Sequence, residues 1–260
     1  MSKCRYYLIF VLFCITGGSS QNKAFEVPDY LGEIMLYKLK YGVFTIGKAS
    51  ISCLSDSMDC SIRIKAVAKT TGWVKLFRDL NYRFESCMND STGLPKAAIR
   101  SLKDGKYEVY NELIFDRISN SDSTIVVSQL SGKHVVPKNI YDILTGFFHF
   151  RKNFLYDSTT RSEDVVIKTY FTDELWDLRI RYSGQERVKT NYGELLCDKF
   201  NPVTVVGRYF HNDNDMTVWF TKQHNAIPVK IMLNLRIGSI TGELDGYQNP
   251  KYKLIQPVAD

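Results

Sequence analysis

After its first twenty residues, this chain has no run of the roughly 18 apolar residues that a membrane-spanning helix needs. It also lacks a Pro-, Gly- or Ser-rich linker, a detectable internal repeat and any low-complexity segment. With 260 residues and 44% hydrophobic composition, the chain is nevertheless long enough to bury a sizeable core. These features predict one domain over residues 32–248. They also predict no membrane span in the mature chain, which we take to begin at residue 21.

The chain also has little net charge. Lys and Arg are scattered among Asp and Glu, and the formal net charge of the whole chain is only +6. No basic cluster resembles the electrostatic footprint of a nucleic-acid-binding protein. We therefore expect no nucleic-acid partner.

Residues 1–20 have the pattern of a cleaved secretory signal peptide. Lys3 and Arg5 precede a short apolar run over residues 6–15, and small residues follow it, so we expect cleavage before Gln21. Cleavage would remove two of the 34 Lys and Arg residues and none of the 28 Asp and Glu residues, which leaves a net charge of +4. The pattern predicts a secreted chain.

The predicted mature chain begins with a short leader over residues 21–31 and ends with a tail over residues 249–260. Lipidation of Cys14 is not expected, because a lipidated cysteine must follow a small residue and Phe13 precedes it here. The exported protein is thus predicted to carry no lipid anchor.

Motifs that carry catalysis or bind cofactors are absent. The sequence contains no GxSxG nucleophile elbow and no phosphate-binding glycine loop. The segment 211–216, "HNDNDM", lacks the glycine and the bidentate Glu of an EF-hand loop, so we expect a polar hairpin loop. Metal-ligand spacing is missing among all four histidines, His134, His149, His211 and His224. We expect no catalytic residue, no metal and no cofactor. A glycan or peptide hydrolase is a distant third hypothesis, behind two non-enzymatic functions.

Four cysteines remain after the predicted cleavage, in a compartment where disulfides can form. Cys53 and Cys60 flank a polar stretch between two predicted strands, which suits a bridge across a hairpin. Cys87 and Cys197 would then form the second pair. The alternative is that these cysteines are buried free thiols.

Most of the mature chain reads as short strands rich in Val, Ile, Thr, Tyr and Phe. Turn signals such as "KDG", "SNSDS" and "HNDND" separate them at near-even spacing, and Ile62, Ile64, Ala66 and Ala68 alternate with polar residues. Because large flat sheets with open edges are prone to aggregate, a sheet of this size usually curls. We predict a mainly β fold with ten or more antiparallel strands in a barrel or half-barrel.

One segment departs from the strand pattern. Residues 139–154 place Ile, Leu and Phe at a helical period, with Asn139 as a suitable N-cap and Asp142 favourable in the first turn. His149, Arg151 and Lys152 lie where the helix dipole favours cations. The pattern predicts one principal amphipathic helix, around which the sheet wraps.

Several of these segments together resemble a known bacterial family. The stretches "GEIMLYKLKYGVFTIGKASI", "DILTGFFHFR", "TNYGELLCDKFNP" and "VWFTKQHNAIPVKIMLNLRIGSITGEL" are similar, in this order, to the exported family called domain of unknown function 3108. The resemblance runs from about Gly32 to Leu244. It implies a periplasmic protein of Gram-negative bacteria with a long curved sheet around a helix, a fold that resembles the periplasmic lipoprotein carriers by analogy.

Two functions follow from this pattern. The first is a non-enzymatic envelope protein that binds an apolar ligand, such as a lipid or lipoprotein, in a half-barrel cavity. Aromatic and aliphatic side chains are the usual lining of such a cavity, and the candidates here are Leu144, Phe147, Phe148, Phe150, Trp176 and Trp219. The alternative is an envelope interaction or assembly factor with a packed core and a protein partner.

Overall fold

Alternating apolar and polar residues form the strands that the sequence predicts. The computed structural model describes residues 30–56, 60–117, 122–155, 161–203, 212, 214–222, 225–236 and 238–254. The predicted signal peptide lies outside these residues. The strands, numbered in chain order, are β1 Glu33–Tyr41, β2 Phe44–Ser55, β3 Ile62–Thr70, β4 Leu80–Met88, β5 Pro95–Asp104, β6 Tyr107–Asp116, β7 Ser123–Ser128, β8 Gly132–Pro137, β9 Val165–Phe171, β10 Glu174–Thr190, β11 Gly193–Pro202, β12 Met216–Thr221, β13 Pro228–Asn234 and β14 Ser239–Gln248.

All fourteen strands belong to one antiparallel sheet, in the order β8-β7-β6-β5-β4-β3-β2-β1-β14-β13-β12-β11-β10-β9. The sheet is strongly curved but not closed, since β8 and β9 remain its two edges. The predicted mainly β fold with ten or more strands is therefore confirmed. A one-turn helix, α1 Val74–Phe77, interrupts the meander between β3 and β4.

The principal helix, α2 Ile143–Asn153, connects the two edge strands and lies on the concave face of the sheet. Gly146 allows it to approach β9 closely, because a Cβ atom at this position would lie 3.3 Å from Cγ2 of Thr169. With 11 residues α2 is short, and within the described part of the chain no helix is long and apolar enough to span a membrane. The helix is an interior element of the fold.

The predicted start of this helix was wrong. Asp142, and not Asn139, is the N-cap of α2, which begins at Ile143 and ends at Asn153 instead of covering residues 139–154. The residues before Asp142 are engaged elsewhere: the Tyr141 N–H donates to the Lys168 carbonyl at 3.1 Å, and the Tyr170 N–H donates to the Tyr141 carbonyl at 2.8 Å. This backbone pairing covers the open edge of β9 and delays the helix.

The apolar core surrounds α2. On one side, Leu144 and Phe148 of the helix pack with side chains of β1–β4 and β14, including Met35 and Ile64. On the other side, Phe150 packs with side chains of β9–β12. The helix is therefore the central element against which both halves of the sheet pack.

The predicted cysteine pairs were also wrong. Cys60 forms a disulfide with Cys87, with the two Cα atoms 5.3 Å apart, whereas Cys53 and Cys197 are buried free thiols. In the β2–β3 ladder Cys53 lies opposite Ile64, four residues beyond Cys60, which corresponds to roughly 13 Å along a strand. That offset prevents the predicted hairpin bridge. Burial raises the pKa of both free thiols to about 12, so they stay protonated at neutral pH.

Candidate functional site

An apolar cavity lies beside α2, inside the curve of the sheet. Its volume is about 230 Å³, and it is partly open to the surface. Strands from distant parts of the sheet order contribute to its wall, because the curvature brings β2 opposite β10. Among the described residues, all those that line it are apolar: Ile51, Ile143, Leu144, Phe147, Phe150, Leu178, Ile180, Pro202, Met216, Val218, Phe220 and Ile231. Such a wall can hold an apolar molecule, and its described residues offer no side chain for polar chemistry.

Three of the six predicted lining residues lie in this wall. Leu144, Phe147 and Phe150 face the cavity from α2. Phe148 points away from it and packs edge-on against Tyr30, with ring centroids 5.6 Å apart. The helical pattern alone could not divide the apolar residues of α2 between the cavity and the core on its other side.

The two predicted tryptophans are elsewhere. Trp219 lies under the Lys230 ammonium group, which is 4.6 Å from its ring centroid, and its indole N–H donates to Glu186 at 3.1 Å. Trp176 packs at the margin of the second apolar cluster and is not part of the cavity wall. The strand residues that do line the cavity alternate along the chain, as in Leu178 and Ile180, so strand periodicity was the signal that could have identified them.

A buried ion pair fixes the C-terminal half of α2. The Arg151 guanidinium donates from Nη1 to Glu33 Oε2 at 2.6 Å and from Nη2 to Oε1 at 3.0 Å, and both side chains are fully buried. Nη2 also donates to the backbone carbonyl of Asn225 at 3.0 Å, and Nε donates to that of Ala226 at 3.2 Å. A bidentate pair of this kind combines charge with a defined orientation. It ties α2 to β1 and to the turn between β12 and β13.

The groups around Arg151 favour its charged guanidinium. The Tyr247 hydroxyl donates to Glu33 at 3.0 Å, and the Tyr30 ring lies against Arg151, 4.1 Å from its Cζ atom. Burial by itself disfavours the charged guanidinium, but the Glu33 carboxylate outweighs this effect and holds the pKa of Arg151 above its ordinary value. From the sequence, Arg151 was expected to interact with the helix dipole, and its pairing with Glu33 was not predicted. The signal for this pair was the position of Arg151 four residues after Phe147, which places its side chain on the apolar stripe of the helix.

The N-terminus of α2 is fixed equally well. The Asp142 carboxylate accepts from the Ser86 hydroxyl of β4 at 2.5 Å, from the Leu144 N–H at 2.8 Å and from the Thr145 hydroxyl at 2.7 Å. The Asp142 N–H donates to the Thr145 hydroxyl, which completes a capping box. Burial raises the pKa of Asp142, and these hydrogen bonds oppose that change. The helix is thus held at both ends, so the adjacent cavity has a rigid wall.

His149 lies on the side of α2 next to Tyr141. The two rings stack with centroids 4.4 Å apart, and the Tyr141 hydroxyl lies 3.1 Å from His149 Nδ1. Burial lowers the pKa of His149 to about 4, so the imidazole is neutral at physiological pH. It does not compensate the helix dipole as the sequence suggested. His211 and His224 lie outside the described residues.

Two other concave regions are weaker candidates. A space of about 30 Å³ near Ser86 and Asp142 has room for about one water molecule. A larger cleft of about 460 Å³ lies between β10 and the strands β13, β14 and β1. Its charges are partly neutralised, since Lys38 pairs with Asp245 at 2.6 Å. The first region is too small for an organic ligand, and the second lacks the apolar lining of the cavity beside α2.

The fold and site together define a barrel-like protein whose open, curved sheet holds a central helix and an apolar cavity. The chain belongs to the family described as "Protein of unknown function (DUF3108)", whose model matches residues 36–245. This confirms the resemblance inferred from the sequence.

Comparison with solved structures supports the same architecture. The chain is similar to a β-barrel-like protein of the domain of unknown function DUF1849 from Brucella abortus. The TM-score is 0.54 at 10% sequence identity, and the match covers 85% of this chain and 98% of the other. No curated protein gave a significant sequence match. At this identity the likeness establishes the fold alone.

Proposed function

We propose that this protein is an exported, non-enzymatic protein of the periplasm that binds a small apolar ligand or a single alkyl chain in the cavity beside α2. The observation that supports the proposal is the cavity itself, about 230 Å³ in volume, whose described lining residues are all apolar. The predicted signal peptide supports the location. The alternative of an interaction factor with a packed core is less well supported, because the core beside the helix is not filled.

The size of the cavity limits the ligand. At about 230 Å³ it exceeds the roughly 150 Å³ apolar cavities that take up benzene. It is smaller than the roughly 300–1,000 Å³ pockets of drug-sized ligands. A single alkyl chain, free or attached to a larger lipid or lipoprotein, therefore suits it better than a complete phospholipid.

The apolar surface of the cavity also supports a bound ligand. Apolar surface in contact with water is unfavourable by roughly 25 cal/mol per Å². A ligand that covers the wall would remove part of this surface from water, which favours binding.

The lining favours binding over catalysis. Acid–base or nucleophilic chemistry requires polar side chains that converge on the reacting atoms. The described residues of the cavity wall include none, and the charged groups near the two ends of α2, Asp142 and Arg151, are engaged in holding the helix. We therefore propose a carrier or binding role, without a cofactor.

Filling the cavity should abolish binding. Val218 lies in the wall at 3% exposure, and in the variant Val218→Phe the ring would occupy the space that a ligand needs. We expect 1-octanol to bind to the unmodified protein with release of heat, and we expect Val218→Phe to weaken this binding by at least about tenfold. Isothermal titration calorimetry measures both affinities.

Val166→Phe is the matched control, because Val166 on β9 is exposed and lies outside the cavity wall. It should bind 1-octanol like the unmodified protein. Equal affinities in all three proteins would show that the alcohol binds elsewhere and would exclude the cavity as the site.

A further inference from the structure

One end of the sheet carries large apolar side chains in full contact with solvent. They lie in or directly after three connections, between β1 and β2, between β3 and β4, and between β5 and β6. The exposure of Val43 is 87%, that of Leu76 is 85% and that of Phe77 is 82%. Together with the exposed rings of this end they form what we call the apolar rim: Val43, Phe44, Trp73, Leu76, Phe77 and Tyr107.

Backbone hydrogen bonds show that these connections are neighbours. The Thr71 N–H, just after β3, donates to the Ile46 carbonyl in β2 at 3.1 Å. The Gly105 N–H in the β5–β6 turn donates to the Asp79 carbonyl at 3.1 Å. Three adjacent turns thus present apolar side chains at one end of the molecule. Contiguous apolar surface of this kind on a folded domain marks an interaction site.

The charges beside the rim indicate what it contacts. Lys48 on β2 and Lys69 on β3 lie directly opposite each other, one pair from the end of the β2–β3 ladder, and both are exposed. Within the described residues, neither has a carboxylate at ion-pair distance. Like charges directly opposite each other are unfavourable in a sheet, and an anion close to both would relieve this repulsion.

The acidic residues near the rim do not supply that anion. Asp79 is paired with Lys75 at 3.9 Å, Asp104 with Arg78 at 2.6 Å, and Glu108 with Lys103 at 3.0 Å. The local excess charge is positive. Exposed Trp, Phe and Leu side chains beside Lys are typical of segments that lie in the interface of a bilayer with anionic lipids.

We propose that the apolar rim docks on the surface of a bilayer that contains anionic phospholipids. Leu76 and Phe77 enter the boundary between headgroups and acyl chains, while Lys48 and Lys69 contact lipid phosphates. A second copy of this chain fits the rim less well, because a symmetric contact would bring the two lysine pairs together.

This docking would also place the cavity near the membrane. Ladder pairs connect Met216 to Leu233, Leu233 to Ile240, and Ile240 to Tyr41 at the β1–β2 turn. The end of the cavity at Met216 therefore lies at the same end of the sheet as the apolar rim. The docking itself does not depend on a ligand in the cavity and can be tested separately.

Sedimentation with vesicles tests the proposal. The protein purified from cells should bind vesicles of phosphatidylcholine with phosphatidylglycerol, and it should bind vesicles of phosphatidylcholine alone more weakly. The double variant Leu76→Ser/Phe77→Ser should lower the partition coefficient on the mixed vesicles by at least about tenfold. Lys48→Gln/Lys69→Gln should lower binding to the mixed vesicles and leave binding to the neutral vesicles unchanged.

Leu54→Ser/Val135→Ser is the matched control, since these exposed side chains lie outside the rim, and it should bind like the unmodified protein. Every variant carries the same N-terminal segment, so that segment cannot cause a difference among them. Vesicle binding that is absent, or that Leu76→Ser/Phe77→Ser leaves unchanged, overturns the proposal. A concentration-dependent dimer that only the rim variant disrupts would also overturn it in favour of a second copy.

Discussion

Replacing Arg151 by methionine should lower the free energy of unfolding by about 3–5 kcal/mol. The substitution leaves the Glu33 carboxylate fully buried without its bidentate partner, and it frees the carbonyls of Asn225 and Ala226. An unpaired buried charge costs far more than a lost surface ion pair. Chemical denaturation of the purified variant measures the loss.

The double variant Glu33→Met/Arg151→Met separates the charge effect from the packing effect. Because both charges are removed together, most of the lost stability should return. Lys168→Met provides the control, since its pair with Asp177 at 3.3 Å is exposed and should contribute no more than about 1 kcal/mol. An Arg151→Met variant as stable as the control would contradict the assigned role of the buried pair.

Loss of the Cys60–Cys87 disulfide should lower the free energy of unfolding by about 3–4 kcal/mol. The bridge closes a loop with a sequence separation of 27, and the estimate follows from the entropy that this closure removes from the unfolded chain. Chemical denaturation of Cys60→Ala/Cys87→Ala under oxidising conditions measures the effect.

A reducing agent provides a test within the same experiment. It should destabilise the unmodified protein by a similar amount, and it should have no effect on Cys60→Ala/Cys87→Ala. The variant Cys53→Ala/Cys197→Ala should keep its sensitivity to reduction, because both of these thiols are free. If this second variant were insensitive to reduction, the pairing in the structure would be wrong.

Features that depend on local pattern could be predicted from the sequence. The alternation of Ile62 and Ile64 with charged residues identified a strand whose inner face is buried, and repeated turns identified a large antiparallel sheet. The helical spacing of Leu144 and Phe147 likewise identified α2. Periodicity is a property of neighbouring residues, so it requires no knowledge of what lies opposite.

Features that depend on distant partners could not be predicted. Asn139 is a sound N-cap in isolation, but the pairing of Tyr141 with β9, which lies beyond α2 in the chain, moved the helix start to Asp142. Arg151 meets Glu33 across 118 positions of sequence. The cysteine pairing depends on strand register, which short-range spacing does not reveal.

The same division applies to the cavity. Phe147 and Phe148 are adjacent and equally apolar, yet only Phe147 faces the open space. Which face of a helix meets a void depends on how the sheet curves around it. The sequence thus predicted the helix that forms one side of the candidate ligand site. It did not predict the strand residues that form the opposite wall.

The dependence of binding on chain length tests the proposed function most directly. Calorimetric titration with straight-chain primary alcohols, from butanol to dodecanol, measures it. If the cavity beside α2 is the site, each added methylene should strengthen binding by about 0.8 kcal/mol, or about fourfold, until the cavity is full, after which the affinity should level off. An affinity that does not change with chain length, or the absence of binding by every alcohol, would contradict the proposal.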